Sequence, residues 1–208
     1  MTCPDTPLFY DDLEATRLEA WKLLTRGVAD RRSAFHTPTI VTIGLDGGPR
    51  VRTVVLRAAE PSARLLRFHT DGRSGKIAEI ARDPRAGVHV YDARSKIQVR
   101  LDGVARVHPW PAQRAQAAWD ASRPQSRSCY AQALAPAAAI ATPHEGDARE
   151  GEGVENFNVV EVEVTAIEWL YLFHAGHRRA RFVWGGLNTQ DDPGGAAQEP
   201  WRASWLAP

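Results

Sequence analysis

Two periods of apolar residues alternate along this chain, and the points where one gives way to the other mark its elements. Leu18, Trp21, Leu24 and Val28 recur at near-helical spacing behind Asp11-Asp12, which predicts a capped helix stopping at about Gly27. The period then shortens to two. Val41, Ile43 and Leu45 share one face of a strand opening after Pro38; Asp46-Gly47-Gly48 signals a turn, and residues 51–57 read as the returning strand. Leu65 to Thr70 predicts a further strand, followed by Ser74 as N-cap of a short helix ended by Asp83-Pro84. Ala86, Val88 and Val90 alternate with Gly87, His89 and Tyr91. The cleanest alternation comes next, with Ile97, Val99, Leu101, Ala105 and Val107 on one face and Gln98, Arg100, Asp102 and Arg106 on the other.

Residues from Trp110 to about Ala135 are Ala- and Gln-rich and predict helix, broken near Arg123-Pro124. The acidic, glycine-rich stretch 144–155 reads as a flexible surface loop. Val160, Val162, Val164 and Ala166 alternate with Glu161, Glu163 and Thr165 as a strand. Two more, Arg178 to Trp184 and Trp201 to Leu206, flank a polar connector from Asn188 to Gly195. About six or seven strands with short turns and a few added helices imply a mainly β chain, an antiparallel barrel filling one domain over 1–208 with 1–34 as an N-terminal helical extension. Long helices do not alternate with the strands, so a doubly wound parallel sheet is excluded.

Charge changes the picture by what it removes. Lys and Arg number 26 against 25 Asp and Glu, a formal +1, so no global field draws the chain to nucleic acid or to a membrane surface. No stretch approaches the ~20 apolar residues of a membrane helix. Cys3 and Cys129 are too few and too far apart for a zinc ribbon or disulfide framework. A soluble, cytoplasmic protein is the expectation. Sequence signatures of hydrolytic triads, HExxH metal sites, P-loops and GxGxxG turns are all missing from the chain. His174 and His177 lack a nearby acidic or thiol co-ligand, so no metal is expected.

Local basic groups remain. Arg52 and Arg57 close an apolar segment, and in a regular strand they point to opposite faces, so a bulge or strand end must re-aim one if both serve one ligand. From His69 to Lys76 a strand enters a Gly-containing turn and a helix start, where backbone N–H groups, the Ser74 hydroxyl and the Lys76 ammonium suit a phosphate. Gln98 carries an amide able to donate and accept along a heterocycle edge. Each has an ordinary reading: solvated strand ends, a capped helix, an exposed glutamine. The seven tryptophans read as core or interface anchors.

In order, Arg52-Thr-Val-Val-Leu-Arg57, Phe68-His-Thr70, Ser74-Gly-Lys76, Gln98-Val-Arg-Leu-Asp-Gly103, Ser122-Arg-Pro124, Arg179-Ala-Arg-Phe182 and Trp205-Leu-Ala-Pro208 resemble the FMN-binding split-barrel family typified by pyridoxamine 5′-phosphate oxidase, over residues 35–208. The resemblance implies a homodimer with FMN at the subunit interface. Arg52, Ser74 and Lys76 would hold its phosphate; Thr53, Val54, Val55, Leu56 and Arg57, with His69 and Thr70, would line the ribityl chain and ring. Gln98 would bond the isoalloxazine, and Arg181 with an aromatic near Tyr171 would approach from the other subunit. Arg123 matches a substrate-phosphate arginine, and Arg127, His177 and Arg179 are further candidate substrate contacts. Departures from the vitamin B6 oxidases sit among these: His177 and Arg179 reverse an Arg-x-His pair, Trp119 replaces a tyrosine and Arg127 a serine. They set pyridoxamine phosphate aside and place the chain nearer the oxidase-related branch. The activity implied is oxidation of a small substrate by hydride transfer to flavin N5. The rivals are a non-catalytic FMN carrier or redox sensor, a barrel relative holding haem or a deazaflavin, and an interaction domain without cofactor.

Overall fold

The computed structural model describes residues 6–143, 151–185 and 201–208. Cys3, residues 144–150 of the acidic stretch and the Asn188 to Gly195 connector lie outside them. Nine strands form one sheet with every pairing antiparallel: β1 (Thr39–Ile43), β2 (Pro49–Thr53), β3 (Leu56–Glu60), β4 (Leu65–Asp71), β5 (Arg85–Asp92), β6 (Ile97–His108), β7 (Phe157–Tyr171), β8 (Arg178–Trp184) and β9 (Trp201–Leu206). The helices are α1 (Leu13–Ala29), α2 (Lys76–Arg82), α3 (Gln113–Asp120) and the single turn α4 (Pro124–Arg127).

The sheet is ordered β2-β1-β5-β6-β7-β4-β3, with β8 and β9 attached through β7. β7 splits its second edge. Residues 157–163 pair with β4 and residues 166–171 with β8, while β6 runs along nearly all of the first edge. At the changeover Thr165 is an extra residue opposite the Asp102–Gly103 step of β6. That bulge corrects the expected alternation: Val160, Val162 and Val164 face the core, but beyond it Ile167 and Trp169 take their place and Ala166 turns to the other side. Gly103 makes the step possible, since a Cβ there would lie 2.5 Å from the Glu163 carbonyl oxygen.

The inward residues of β5, β6 and β7 pack with α1 through Ala20, Trp21 and Leu24 into the main core. Asp12 caps α1 by accepting from the Ala15 N–H at 2.7 Å, as expected. Gly27 does not stop the helix, which runs on to Ala29. A Cβ at Gly27 would sit 2.6 Å from the Phe35 backbone, so glycine is required there for close packing. A second, smaller cluster gathers Ala115, Trp119, Tyr130, Phe157 and Val159 under α3.

Val41, Ile43 and Leu45 share one face as expected, and three further expectations, on Ser74, the helical stretch and the acidic loop, are corrected. In β1 the core receives Ile40 and Thr42, and Val41, Ile43 and Leu45 face outward, because α2 covers the inner side with Glu79 bonded to Thr42. Ser74 does not cap α2; Gly75 occupies that position without a side-chain bond. The helical stretch after Trp110 ends at Tyr130 instead of continuing to Ala135. Part of the expected acidic loop is a 3-10 turn, Val154–Asn156, held by Gly153 against Tyr130.

Substituting Gly103→Ala should cost about 2–4 kcal/mol of unfolding free energy, because backbone of β7 must move. Gly75→Ala should stay within about 0.5 kcal/mol, since its Cβ would meet only the Glu79 carboxylate at 3.7 Å. Urea denaturation of both variants checks the pair.

Candidate functional site

The strand-to-helix corner places four side chains from three segments together. Lys76 opens α2 and turns its ammonium back to the end of β4, donating to Thr70 Oγ1 at 2.8 Å and Ser74 Oγ at 2.7 Å. Arg52 reaches the same corner from β2, sharing a face with Ile40 and Val88. Its guanidinium meets Glu79 at 2.7 Å and also donates to Thr42. Glu79 balances Arg52, whereas Lys76 hydrogen-bonds, among the described residues, to hydroxyl oxygens alone, with Glu79 and Asp71 near enough to act on it by charge. The corner therefore carries one uncompensated positive charge. Burial, and next the Arg52 charge, lower the Lys76 pKa from its ordinary value. Such a group is stabilised by an anion that brings its own charge. Asp71 fixes the turn by taking both the backbone N–H and the guanidinium of Arg73, and Gly72 gives room to Asn158.

Arg57 does not join this corner. The chain leaves β2 after Thr53, and a register shift between Leu56 and Ala58 in β3 aims Arg57 into a different cavity of about 470 Å³. That cavity lies between the outer side of β4 and the α3–α4 segment, with Arg67, His69, Arg114, Ser122 and Arg123 on its walls. Its cations are unequally balanced. Glu60 and Glu161 hold Arg67 at 3.2 and 2.9 Å, and Glu161 also lies 3.8 Å from Arg114. No carboxylate pairs with Arg57 or Arg123 among the described residues, and Arg57 Nε is buried without a hydrogen-bond partner. His69 packs edge-on against Phe157 at 4.9 Å. Burial first, then the charges of Arg57 and Arg67, push its pKa down to about 4, so the imidazole is neutral at pH 7.

Other expected site residues fall elsewhere. Thr53, Gln98 and Arg181 sit on the outward sheet face, opposite to the face that carries Arg52. There Gln98 lies 3.3 Å from His89, and Glu168 gathers Arg100 and Arg179 at 3.2 and 2.6 Å. Tyr171 packs among Phe9, Tyr10 and Phe173 of its own chain. Arg127 donates to the Trp119 and Asp120 carbonyls, closing the end of α3, and His177 is exposed beyond the end of β7. One chain thus brings Arg52, Thr70, Ser74 and Lys76 into one site, and Arg57, His69 and Arg123 into another. Thr42, Glu79, Arg67 and Glu161 were missing from the sequence reading. The alternation of β7 gave the one available signal, by putting Glu161 on its polar side.

Residues 18–109 match the family model described as "Pyridoxamine 5′-phosphate oxidase, FMN-binding domain". The pyridoxine/pyridoxamine 5′-phosphate oxidase 2 of Arabidopsis thaliana is 32% identical over 124 residues, 55% of this chain and 63% of that protein. The oxidase of Thermosynechococcus vestitus is 34% identical over 97 residues, 46% of this chain and 45% of that protein. The matched stretches span about half to under two thirds of these relatives. A pyridoxamine 5′-phosphate oxidase-related, FMN-binding protein from Nostoc punctiforme PCC 73102 superposes with TM-score 0.70 at 20% identity, covering 92% of this chain and 95% of its own. PhzG of Burkholderia lata 383 superposes with TM-score 0.69 at 18% identity over the full length of both chains. Over residues 18–109 the chain is similar to the FMN-binding domain of the pyridoxamine 5′-phosphate oxidases, its fold is that of the split-barrel neighbours, and FMN is the cofactor that goes with the match. Arg52, Ser74, Lys76 and Gln98 lie inside the matched segment; Arg123, Tyr171 and the 177–181 cluster lie beyond it.

Arg52→Ala and Lys76→Met should each weaken FMN binding by about 1–3 kcal/mol, the range for a charge-assisted bond. The lowered Lys76 pKa sets the direction with pH: affinity should begin falling below the pH at which an ordinary lysine deprotonates, and Lys76→Met should flatten that decline. Flavin fluorescence titrations between pH 7 and 10 measure both. A second effect belongs to His69. Its folded-state pKa lies below the unfolded 6.5, so stability present above pH 6.5 should drain away as pH falls towards 4, by about 3 kcal/mol. Thermal melts of the ligand-free protein against His69→Asn check that loss.

Proposed function

We propose that this protein is an FMN-dependent oxidoreductase that takes a hydride from a small anionic substrate and works as a homodimer. One observation carries the reading: residues 52–57 join two separate anion sites, Arg52 at the Lys76 corner and Arg57 in the cavity of Arg123. An extended stretch of six residues reaches about 20 Å. That is room to lay a phosphate at one end and present a ring towards the other. The residues fit FMN: an ammonium hydrogen-bonded to no carboxylate, two hydroxyls and a braced guanidinium receive the phosphate, with the half-buried Val54 and Val55 between the two sites, whereas Leu56 is buried in the core and Thr53 faces outward. When bound, FMN supplies a two-electron acceptor for the hydride leaving the substrate.

Arg57 and Arg123 orient the substrate by its anionic group, Arg57 from the wall and Arg123 from the exposed rim. Paired guanidinium donors suit carboxylate or phosphate. His69, neutral in the ligand-free protein, adds a polar edge to the cavity. Gln98, Arg179, Arg181 and His177 reach a flavin site in this reading only from a partner subunit, because in one chain they lie away from Arg52. The outward face of β1, β2, β5 and β6 suits that partner: Val51, Tyr91 and Val104 are exposed there, and Val41, Ile43 and Gly87 line a shallow groove. Among the described residues no helix is long and apolar enough to cross a membrane; we take the setting to be cytoplasmic.

Anaerobic mixing of the FMN-loaded protein with amine, hydroxy-acid and NAD(P)H donors tests the reading. Bleaching of the flavin band by an anionic donor is expected, with kcat/KM at least about tenfold lower in Arg123→Ala. Failure with every donor would leave a carrier or sensor. For the assembly, Val41→Arg should yield monomers on a sizing column that have released flavin; a monomer retaining it would contradict the shared site.

A further inference from the structure

We propose that His69 is a third anion-binding group of the Arg57–Arg123 cavity, one that engages a doubly charged ligand by taking up a proton from solvent as that ligand binds. The proposal rests on reading this cavity as the substrate site, and it names the substrate class as a dianion.

Geometry supplies the first part. The imidazole is fixed edge-on by Phe157, and neither ring nitrogen hydrogen-bonds to any described residue, although the ring forms part of the cavity wall. Both nitrogens are therefore available to a ligand. Phe157 covers one side of the ring, and the charges that act on it are those of Arg57 and Arg67. Arg57 comes from β3 and Arg67 from the ring's own strand, while Arg114 of α3 and Arg123 of the following loop line the same cavity. Arg31 and His36 close the wall beyond α1, with His36 Nδ1 tied to the Gly27 carbonyl at 2.7 Å. Of the carboxylates that answer this charge, Glu60 pairs with Arg67, and Glu161 is shared among Arg67 at 2.9 Å, His108 at 3.0 Å and Arg114 at 3.8 Å. Arg57 and Arg123 stay unbalanced.

Under these conditions an imidazolium is opposed chiefly by burial and by the Arg57 charge. A dianion seated between Arg57 and Arg123 cancels that repulsion and adds an attraction of its own. The imidazole then binds one proton and donates a charge-assisted hydrogen bond to the ligand. A monoanion spends its charge on the two guanidinium groups and leaves less to hold the proton. Binding of a dianion should therefore strengthen as pH falls, whereas binding of a monoanion should change little. No electron moves and no covalent bond between heavy atoms forms or breaks; the single proton comes from solvent and returns when the ligand leaves.

Sulfate is the suitable probe, because unlike phosphate it does not titrate between pH 5 and 7. Calorimetric titration of sulfate into the full chain saturated with FMN, in MES and in cacodylate, counts protons directly. Near pH 5.5 the wild type should take up close to one proton per sulfate, and affinity should rise towards tenfold per pH unit. His69→Asn should lose the proton uptake and the slope, while His36→Asn should keep both. Chloride should show no such slope. A parallel measurement needs no variant: the His69 imidazole resonance should titrate more than two pH units higher with sulfate present than without. Equal slopes and proton counts in wild type and His69→Asn, or an unmoved His69 midpoint, would overturn the proposal while leaving the cavity an anion site. Sulfate binding that Arg57→Ala and Arg123→Ala leave unchanged would instead remove the cavity reading, and this proposal with it.

Discussion

A lysine ammonium partly withdrawn from water, hydrogen-bonded to two hydroxyls and, among the described residues, paired with no carboxylate, is the constraint on which the rest of the structure turns. Lys76 holds Thr70 and Ser74 around itself, and Glu79 keeps the neighbouring Arg52 from adding a second free charge. The arrangement costs desolvation in the ligand-free state and is relieved by an arriving anion. Buried cations of this kind are usually paired at once. Leaving one unpaired at the meeting of β2, β4 and α2 keeps the corner ready to bind.

The sheet explains how the corner and the cavity stay separate. β4 and β7 form a wall with the main core on one side and α3 on the other, so Thr70 and His69, adjacent in sequence, serve different sites. The same alternation divides Arg67 from Phe68. The break after Thr53 and the shift in β3 then let residues 52–57 pass from one side of this wall to the other. A continuous strand would have kept Arg52 and Arg57 on opposite faces of one ribbon without supplying a second site for the latter.

Much of the corner was legible because its parts are close in sequence. Ser74 and Lys76 lie within one turn of each other, and the glycines around them announce a bend. The cavity was less legible. Arg57 and Arg123 were each named, but for different duties, and Glu161 was seen only as a polar position on a strand. Its role comes from lying opposite Arg67, ninety-four residues away in sequence, which balances Arg67 and leaves Arg57 as the cation in excess. Gly27 shows the same limit in the core. Its sequence context reads as a helix end, whereas its use is to admit the Phe35 backbone.

By itself the amino-acid sequence determined most of the strands, the all-antiparallel character and the candidate cations, because alternation, turn chemistry and residue type are local properties; it expected six or seven strands where nine form, and ran β2 and β3 together as one strand over 51–57. β8 and β9 fall where alternation put them. Tertiary structure alone decided which face of β1 is buried, where β7 changes partner, and which charges are balanced. Each depends on contacts between residues far apart in the chain: Thr42 with Glu79, Gly103 with Glu163, Arg67 with Glu161. A periodic pattern fixes which residues share a side. What that side faces is settled only by what packs against it.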